Sequence, residues 1–141
     1  MSAADVLMKP EECVMLLVDF QAGLGFGVES APRQVLLNNA VALARTAVAF
    51  KVPVIASTSA SRVYSGPLLP QLQEVLPSVK AIERRPMNVW EDDAARNAVL
   101  AAKRRRLIVA GFLTRLASPF LFFLRLKMAS RCSSLQTPAA A

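Results

Sequence analysis

At 141 residues, 54% of them hydrophobic and 19% charged, the chain has the length of one domain and enough apolar sequence for a core, which excludes a disordered polymer. It contains no histidine, so Ser-His-Asp and Cys-His nucleophile pairs, histidine bases and nearly all zinc-ligand patterns are excluded, leaving carboxylates, Cys, Lys and Arg for any chemistry. The net charge of +7 conceals a division: residues 1–93 hold 8 basic and 10 acidic residues (net −2), and residues 94–141 hold 9 basic and no acidic ones (net +9).

The first segment, MSAADVLMKPEE, lacks a basic-then-apolar leader, and Cys13 and Cys132 form neither a CxxC pair nor a disulfide framework. A reducing cytoplasm is the expected compartment. Residues 14–18 are a continuous apolar run closed by Asp19, the pattern of a strand covered on both faces of a parallel sheet. Gly23, Gly25 and Gly27 then mark a loop. GLGFG neither opens a helix at once nor has the spacing of a dinucleotide fingerprint. Between Pro32 and Phe50 a helix is predicted, with Val35, Leu36, Leu43, Ala47 and Phe50 as its apolar stripe and Pro32 suited to its first turn. A second buried strand is expected over 52–57, a loop over 59–67, a short helix over 68–76 closed by Pro77, and a third strand over 79–82. Residues 92–103 open with acids and close with bases, which favours a helix through its dipole, and 107–110 form a fourth strand. The unit is βαβαβαβ, an α/β doubly wound parallel sheet whose active residues belong at the carboxyl ends of the strands.

Polar groups stand at three of those ends: Asp19 after the first strand, Ser57 and Thr58 at the second, and Arg84-Arg85 after the third. Asp19 reads either as a loop carboxylate or helix cap or as a site residue, and Gln21, two positions on, can share its rim. Trp90 reads as core or as a pocket wall. The run Lys103-Arg104-Arg105-Arg106 directly precedes an apolar strand, and reads as a solvated helix end rather than a binding patch. SPFLFFLRL, at residues 118–126, is half the ~20 residues of a membrane span and contains Arg125.

With these residues in place the chain resembles the isochorismatase-like cysteine hydrolases, the superfamily that includes nicotinamidases. The likeness runs from about Val14 to Thr114 and is carried by four motifs in order: MLLVDFQAG at 15–23, VPVIASTSA at 52–60 followed by GPLLPQL at 66–72, RPMNVW at 85–90, and RRLIVAGFLT at 105–114. The resemblance implies a three-layer αβα fold, of which this chain supplies about four of six strands. It also implies a triad of a strand-one Asp, a Lys or Arg after strand three and a Cys after strand four. Asp19 is then the general base that takes the thiol proton, Arg85 holds the basic position, and Gln21, Asn88 and Trp90 are candidates for substrate binding. Neither metal nor other cofactor is expected, because the family's metal-binding members use histidines near strand one. The implied partner is a small amide or related carbonyl substrate, with no nucleic acid and no membrane; a family-type homo-oligomer is doubtful in this chain.

The pattern breaks where the nucleophile belongs. After GFLT the family has an acid, a small or branched residue and Cys; this chain has Arg115-Leu116-Ala117. Read one base earlier, with suitable synonymous codons, the tail becomes TEACLAFPVLSALEDGLEVFVVADA, the family's own continuation, with the cysteine at the position of Ala117. Residues 1–114 are accordingly read as the N-terminal part of the hydrolase domain and 115–141 as an out-of-frame tail, so that the fourth strand is expected to be an uncovered edge and the chain inactive. The competing readings are a genuine divergent terminus with an amphipathic helix carrying Phe120, Phe122 and Phe123, residual catalysis through Cys132, and a basic module binding nucleic acid or anionic membrane through residues 103–131.

Overall fold

The computed structural model describes residues 8–28 and 31–112 together with the backbone of a strand at 132–134. A single five-stranded sheet organises them: β1 (Cys13–Val18), β2 (Val54–Ser59), β3 (Ile82–Arg84), β4 (Arg106–Gly111) and β5 (Cys132–Ser134), in the order β3-β2-β1-β4-β5. Every pairing is parallel, with Val18 opposite Ser57 on β2 and Gly111 on β4. The α-helices are α1 (Ala22–Gly25), α2 (Arg33–Ala49), α3 (Pro70–Val75) and α4 (Asp93–Ala101).

The continuous apolar run of β1 is buried along its whole length because it is covered twice. Its odd positions, Cys13, Met15 and Leu17, join α2 and α3 in a core with Ala40, Ala44, Ala47, Leu72 and Leu76. Its even positions, Val14, Leu16 and Val18, join Val89 and the Ala95 and Val99 face of α4. Strand alternation therefore divides one sequence between two layers. Asp92 starts α4 by accepting a hydrogen bond from the Ala95 amide at 2.9 Å, and Asp93 adds a second acid to the first turn.

Several boundaries differ from the sequence-based expectation. The contact stripe of α2 is built from alanines at i, i+4 and i+7, with Leu36 and Leu43 partly buried beside it, whereas Val35 and Phe50 are exposed. Small side chains let the helix lie close to the sheet, so the largest apolar residues do not mark the buried face. β2 runs two residues later than expected, because Lys51 at φ 54° and Pro53 delay entry into the sheet. β3 also begins later: the Val79 amide bonds back to the Leu76 carbonyl, extending the turn after α3, and the strand starts at Ile82. β4 is not an edge, since β5 pairs with it from Leu107 to Val109. Ala117, Phe120, Phe122 and Phe123 lie outside the described residues. Among the described residues no helix is long and apolar enough to cross a membrane.

Candidate functional site

The carboxyl ends of β1, β2 and β3 meet at Asp19. β1 stops there because Asp19 adopts φ 57°, a left-handed conformation that aspartate tolerates better than most residues. Its amide still donates to the Ser57 carbonyl (2.9 Å) and its carbonyl accepts from the Gln21 amide (2.9 Å), so the chain turns sharply at a fixed point. The Asp19 side chain is only 10% exposed, and its carboxylate is engaged from two strands. Arg84, the last residue of β3 and 2% exposed, pairs with it bidentately, Nη1 to Oδ1 and Nη2 to Oδ2 at 2.6 Å. From β2, the Ser59 hydroxyl donates to Oδ1 at 3.2 Å. Arg84 is held in turn by the Ser57 hydroxyl and the Met87 carbonyl, each at 3.3 Å from a guanidinium nitrogen. Planar fork-to-carboxylate pairing fixes the orientation of both groups as well as their charge.

Gln21 is completely buried, and its amide is spent on backbone. Its Nε2 donates to the carbonyls of Ser59 (3.0 Å) and Gly66, and its Oε1 accepts from the Ser59 amide at 3.0 Å. It thus clamps the end of β2 to the following loop. Gly23 completes this packing, since a Cβ there would lie 2.3 Å from the Tyr64 carbonyl oxygen. Gly111 does the same for the fourth strand end: a Cβ would lie 2.4 Å from the Val18 carbonyl oxygen, so β4 leaves the sheet close beside Asp19. On the outer side of β3, the Glu83 carboxylate accepts from the Thr58 hydroxyl (2.8 Å) and the Ser61 amide (2.9 Å). These hydrogen bonds, with the Ser61 amide foremost, and the nearby Arg62 charge lower its pKa.

The expected site residues are therefore distributed unequally. Asp19 and Gln21 stand at the convergence of the strands, but Arg85 does not: it is exposed, and Arg84 is the residue on Asp19. Alternation along β3 decides this, because Arg84 points inward while Glu83 and Arg85 point out. Asn88 is buried but uses its Oδ1 to cap the 3₁₀ turn Val89–Glu91, accepting from the Trp90 amide at 3.1 Å, while its Nδ2 lies 3.4 Å from Glu91. Trp90 is partly buried against the Val14, Leu16 and Val18 core, and its carbonyl accepts from Arg96. The sequence alone does not distinguish Ser59 or Glu83, although alternation from Ser57 indicates the inward position of Ser59. Among the described residues no three of His, Cys, Asp and Glu gather to hold a metal ion.

The basic run lies at the other end of the sheet. Arg106 starts β4 opposite Cys13, five register steps from the Val18–Gly111 pair, or about 16 Å at 3.3 Å per residue. Arg106 Nε lies 3.4 Å from the Glu12 carboxylate, and Arg104 donates to the Glu11 carbonyl. Cys132 pairs with Leu107 at this same end, four register steps short of Gly111, which removes it from Asp19. Cys13 is separated from β5 by β4, roughly 9.6 Å across two strand spacings, beyond the reach of a disulfide with Cys132. Burial raises the pKa of the Cys13 thiol.

No family model matches the chain. It is 34% identical over 116 residues to the probable hydrolase YcaC of Escherichia coli K12, an alignment covering 82% of this chain and 56% of that protein. The crystal structure of the E. coli YcaC gene product, described as an octameric hydrolase of unknown specificity, superposes with a TM-score of 0.85 at 30% identity over 92% of this chain and 64% of that one. YcaC from Pseudomonas aeruginosa, solved with hexane-2,5-diol and covalent acrylamide, gives a TM-score of 0.87 at 30% identity over 95% of this chain and 67% of that one. An isochorismatase from Pseudomonas putida KT2440 shares the fold at a TM-score of 0.76 and 16% identity, over 91% of this chain and 70% of that one. The chain thus spans between about half and two thirds of the length of the YcaC proteins it matches.

Proposed function

The chain belongs to the isochorismatase-like hydrolases, and we propose that residues 8–112 form the base and binding part of a cysteine-hydrolase site for a small amide or related C–N carbonyl compound, without its nucleophile. The observation that carries this reading is the buried bidentate pair of Asp19 and Arg84 at the carboxyl ends of β1 and β3, beside the point where β4 leaves the sheet at Gly111. In the complete reaction Asp19 takes the proton of a cysteine thiol, and the thiolate attacks the substrate carbonyl carbon. The amine departs with that proton. Water then attacks the acyl-thioester carbon, releasing the acid and restoring the thiol. Arg84, rather than Arg85, holds the basic position. Gln21 shapes the rim through backbone contacts, and Trp90 is a wall; neither Gln21 nor Asn88 offers a free amide to substrate. The chemistry calls for no metal and no cofactor. The covalent acrylamide in the P. aeruginosa relative supports a reactive nucleophile in that protein.

We further propose that the sequence from 115 onward is out of frame, so that Ala117 stands where the cysteine belongs and the chain as written does not turn over. The absence of any acidic residue from 115 to 141 and the coherent reading of the shifted codons support this. A water held by Asp19 is a far weaker nucleophile, and loss of a nucleophile removes rate on the scale of ~10⁶-fold. A cytoplasmic setting is an extension of the same reading. The basic-module reading gains no support from the placement of Arg104 and Arg106, which are engaged by Glu11 and Glu12 at the opposite end of the sheet.

The test is to restore the upstream frame after Thr114 and assay both forms against a panel of small amides. The restored form is expected to hydrolyse at least one of them, with turnover abolished by thiol alkylation, and the chain as written none. Equal turnover by both forms, insensitive to alkylation, contradicts the proposal.

A further inference from the structure

We propose that Glu83 is a positioning residue: by gripping Thr58 and Ser61 it holds the intervening Ser59–Ala60 segment so that the Ser59 hydroxyl rests on the Asp19 carboxylate. Glu83 lies opposite Thr58 in the β2–β3 register, on the outward face of an edge strand, where a carboxylate needs no partner to be stable. Instead its two oxygens divide between two donors that flank Ser59 and Ala60, Oε2 taking the Thr58 hydroxyl and Oε1 the Ser61 amide. The bracketed segment is one that needs holding. Ala60 sits at φ 48°, a conformation costly for a residue with a Cβ and no polar side chain to compensate. Its carbonyl nevertheless collects the amides of Val63, Tyr64 and Ser65, so this turn is the start of the whole 60–66 loop.

Ser59 is consequently fixed from three directions. Gln21 holds its amide and its carbonyl, Glu83 holds its neighbours, and its hydroxyl is left to point at Asp19 Oδ1. Arg84 approaches the same carboxylate from the next residue of β3, so two consecutive side chains of one strand act on Asp19, Arg84 directly and Glu83 through β2. The charged group acting on Glu83 from its loop is Arg62, and Arg84 and Arg85 follow it in the chain. The lowered pKa of Glu83 accords with a carboxylate held by donors in the folded chain. The functional meaning of this arrangement rests on Asp19 being the base, but the arrangement itself does not depend on turnover.

It is tested in the full chain as written, by following the Asp19 carboxyl carbon resonance and the protection of the Ser61 amide in wild type, Glu83→Gln, Glu83→Ala, Ser59→Ala and the Ser59→Ala/Glu83→Ala pair. Ser59→Ala and Glu83→Ala are expected to displace the Asp19 resonance in the same direction, with no further displacement in the double variant. Ser61 protection should fall about 10- to 100-fold in Glu83→Ala, the scale of one hydrogen bond to a charged acceptor. In wild type it should fall as Glu83 is protonated, and Glu83→Gln, which keeps one acceptor oxygen, should retain part of the protection and lose the pH dependence. An Asp19 resonance that moves in Ser59→Ala but not in Glu83→Ala overturns the proposal. Should Glu83→Ala fail to fold, unchanged pH dependence of Ser61 protection in Glu83→Gln overturns it equally. Neither result bears on the amide-turnover test of the frame-restored chain.

Discussion

The two ends of the parallel sheet use charge in opposite ways. At the carboxyl ends Asp19 and Arg84 are buried, bidentate and locked by Ser57, Ser59 and Met87. At the amino ends Arg104 and Arg106 lie near the surface and take up the Glu11 carbonyl and the Glu12 carboxylate. In sequence the excess of positive charge falls after position 93, while the groups suited to chemistry form a neutral pair at the carboxyl ends of β1 and β3. Net charge is therefore a poor guide to the site here, and burial with bidentate pairing is a better one.

The largest expected effect separates Arg84 from Arg85. Arg84→Met strands a buried carboxylate and should destabilise by about 3–5 kcal/mol in urea unfolding, whereas Arg85→Met should leave the midpoint unchanged within error. Gly111→Ala should cost about 1–3 kcal/mol or more in the same measurement, because its Cβ meets the backbone of Val18 rather than a side chain that can move. Gln21→Ala is expected to cost a similar amount, about 1–3 kcal/mol, by leaving the Ser59 amide without its acceptor.

Smaller effects appear with pH. Glu83 ionises more readily in the folded chain than in the unfolded one, so its contribution to stability is complete above the ordinary carboxylate range and is lost as pH falls through its lowered pKa. Urea midpoints measured down that range should fall more steeply in wild type than in Glu83→Gln. Cys13 has the opposite sense: its raised thiol pKa adds stability below the ordinary thiol range that is lost as pH rises through the folded value, and iodoacetamide should modify it only as the chain opens. At the amino end, Arg104→Ala should have the smallest effect, leaving the urea midpoint unchanged within about 0.5 kcal/mol.

Much of this was legible in the sequence because β1 combines an uninterrupted apolar run with a terminal acid, a pattern with few structural solutions. It places Asp19 and Gln21 at a strand end, though Asp19 still reads there either as a loop carboxylate or cap or as a site residue. Arg84 was obscured by strand register: placing β3 at 79–82 puts both arginines in a loop, where alternation gives no preference, and a shift of two residues turns the choice into an inward and an outward position. The α2 face was partly obscured because its contacts come from Ala40, Ala44 and Ala47, whose small size matters more than their hydrophobicity. Glu83 carries no local signature, since its partners lie 22 and 25 residues away and become neighbours only through parallel pairing.

The central claim, that the carboxyl-end pair is Asp19 with Arg84, is tested most directly by double-mutant cycles in urea unfolding. Asp19→Asn combined with Arg84→Met should be more stable than Arg84→Met alone by about 2 kcal/mol or more, because the second change removes the charge left stranded by the first. Asp19→Asn combined with Arg85→Met should be additive within about 0.5 kcal/mol. Additivity in the Arg84 cycle, or coupling confined to the Arg85 cycle, contradicts the account.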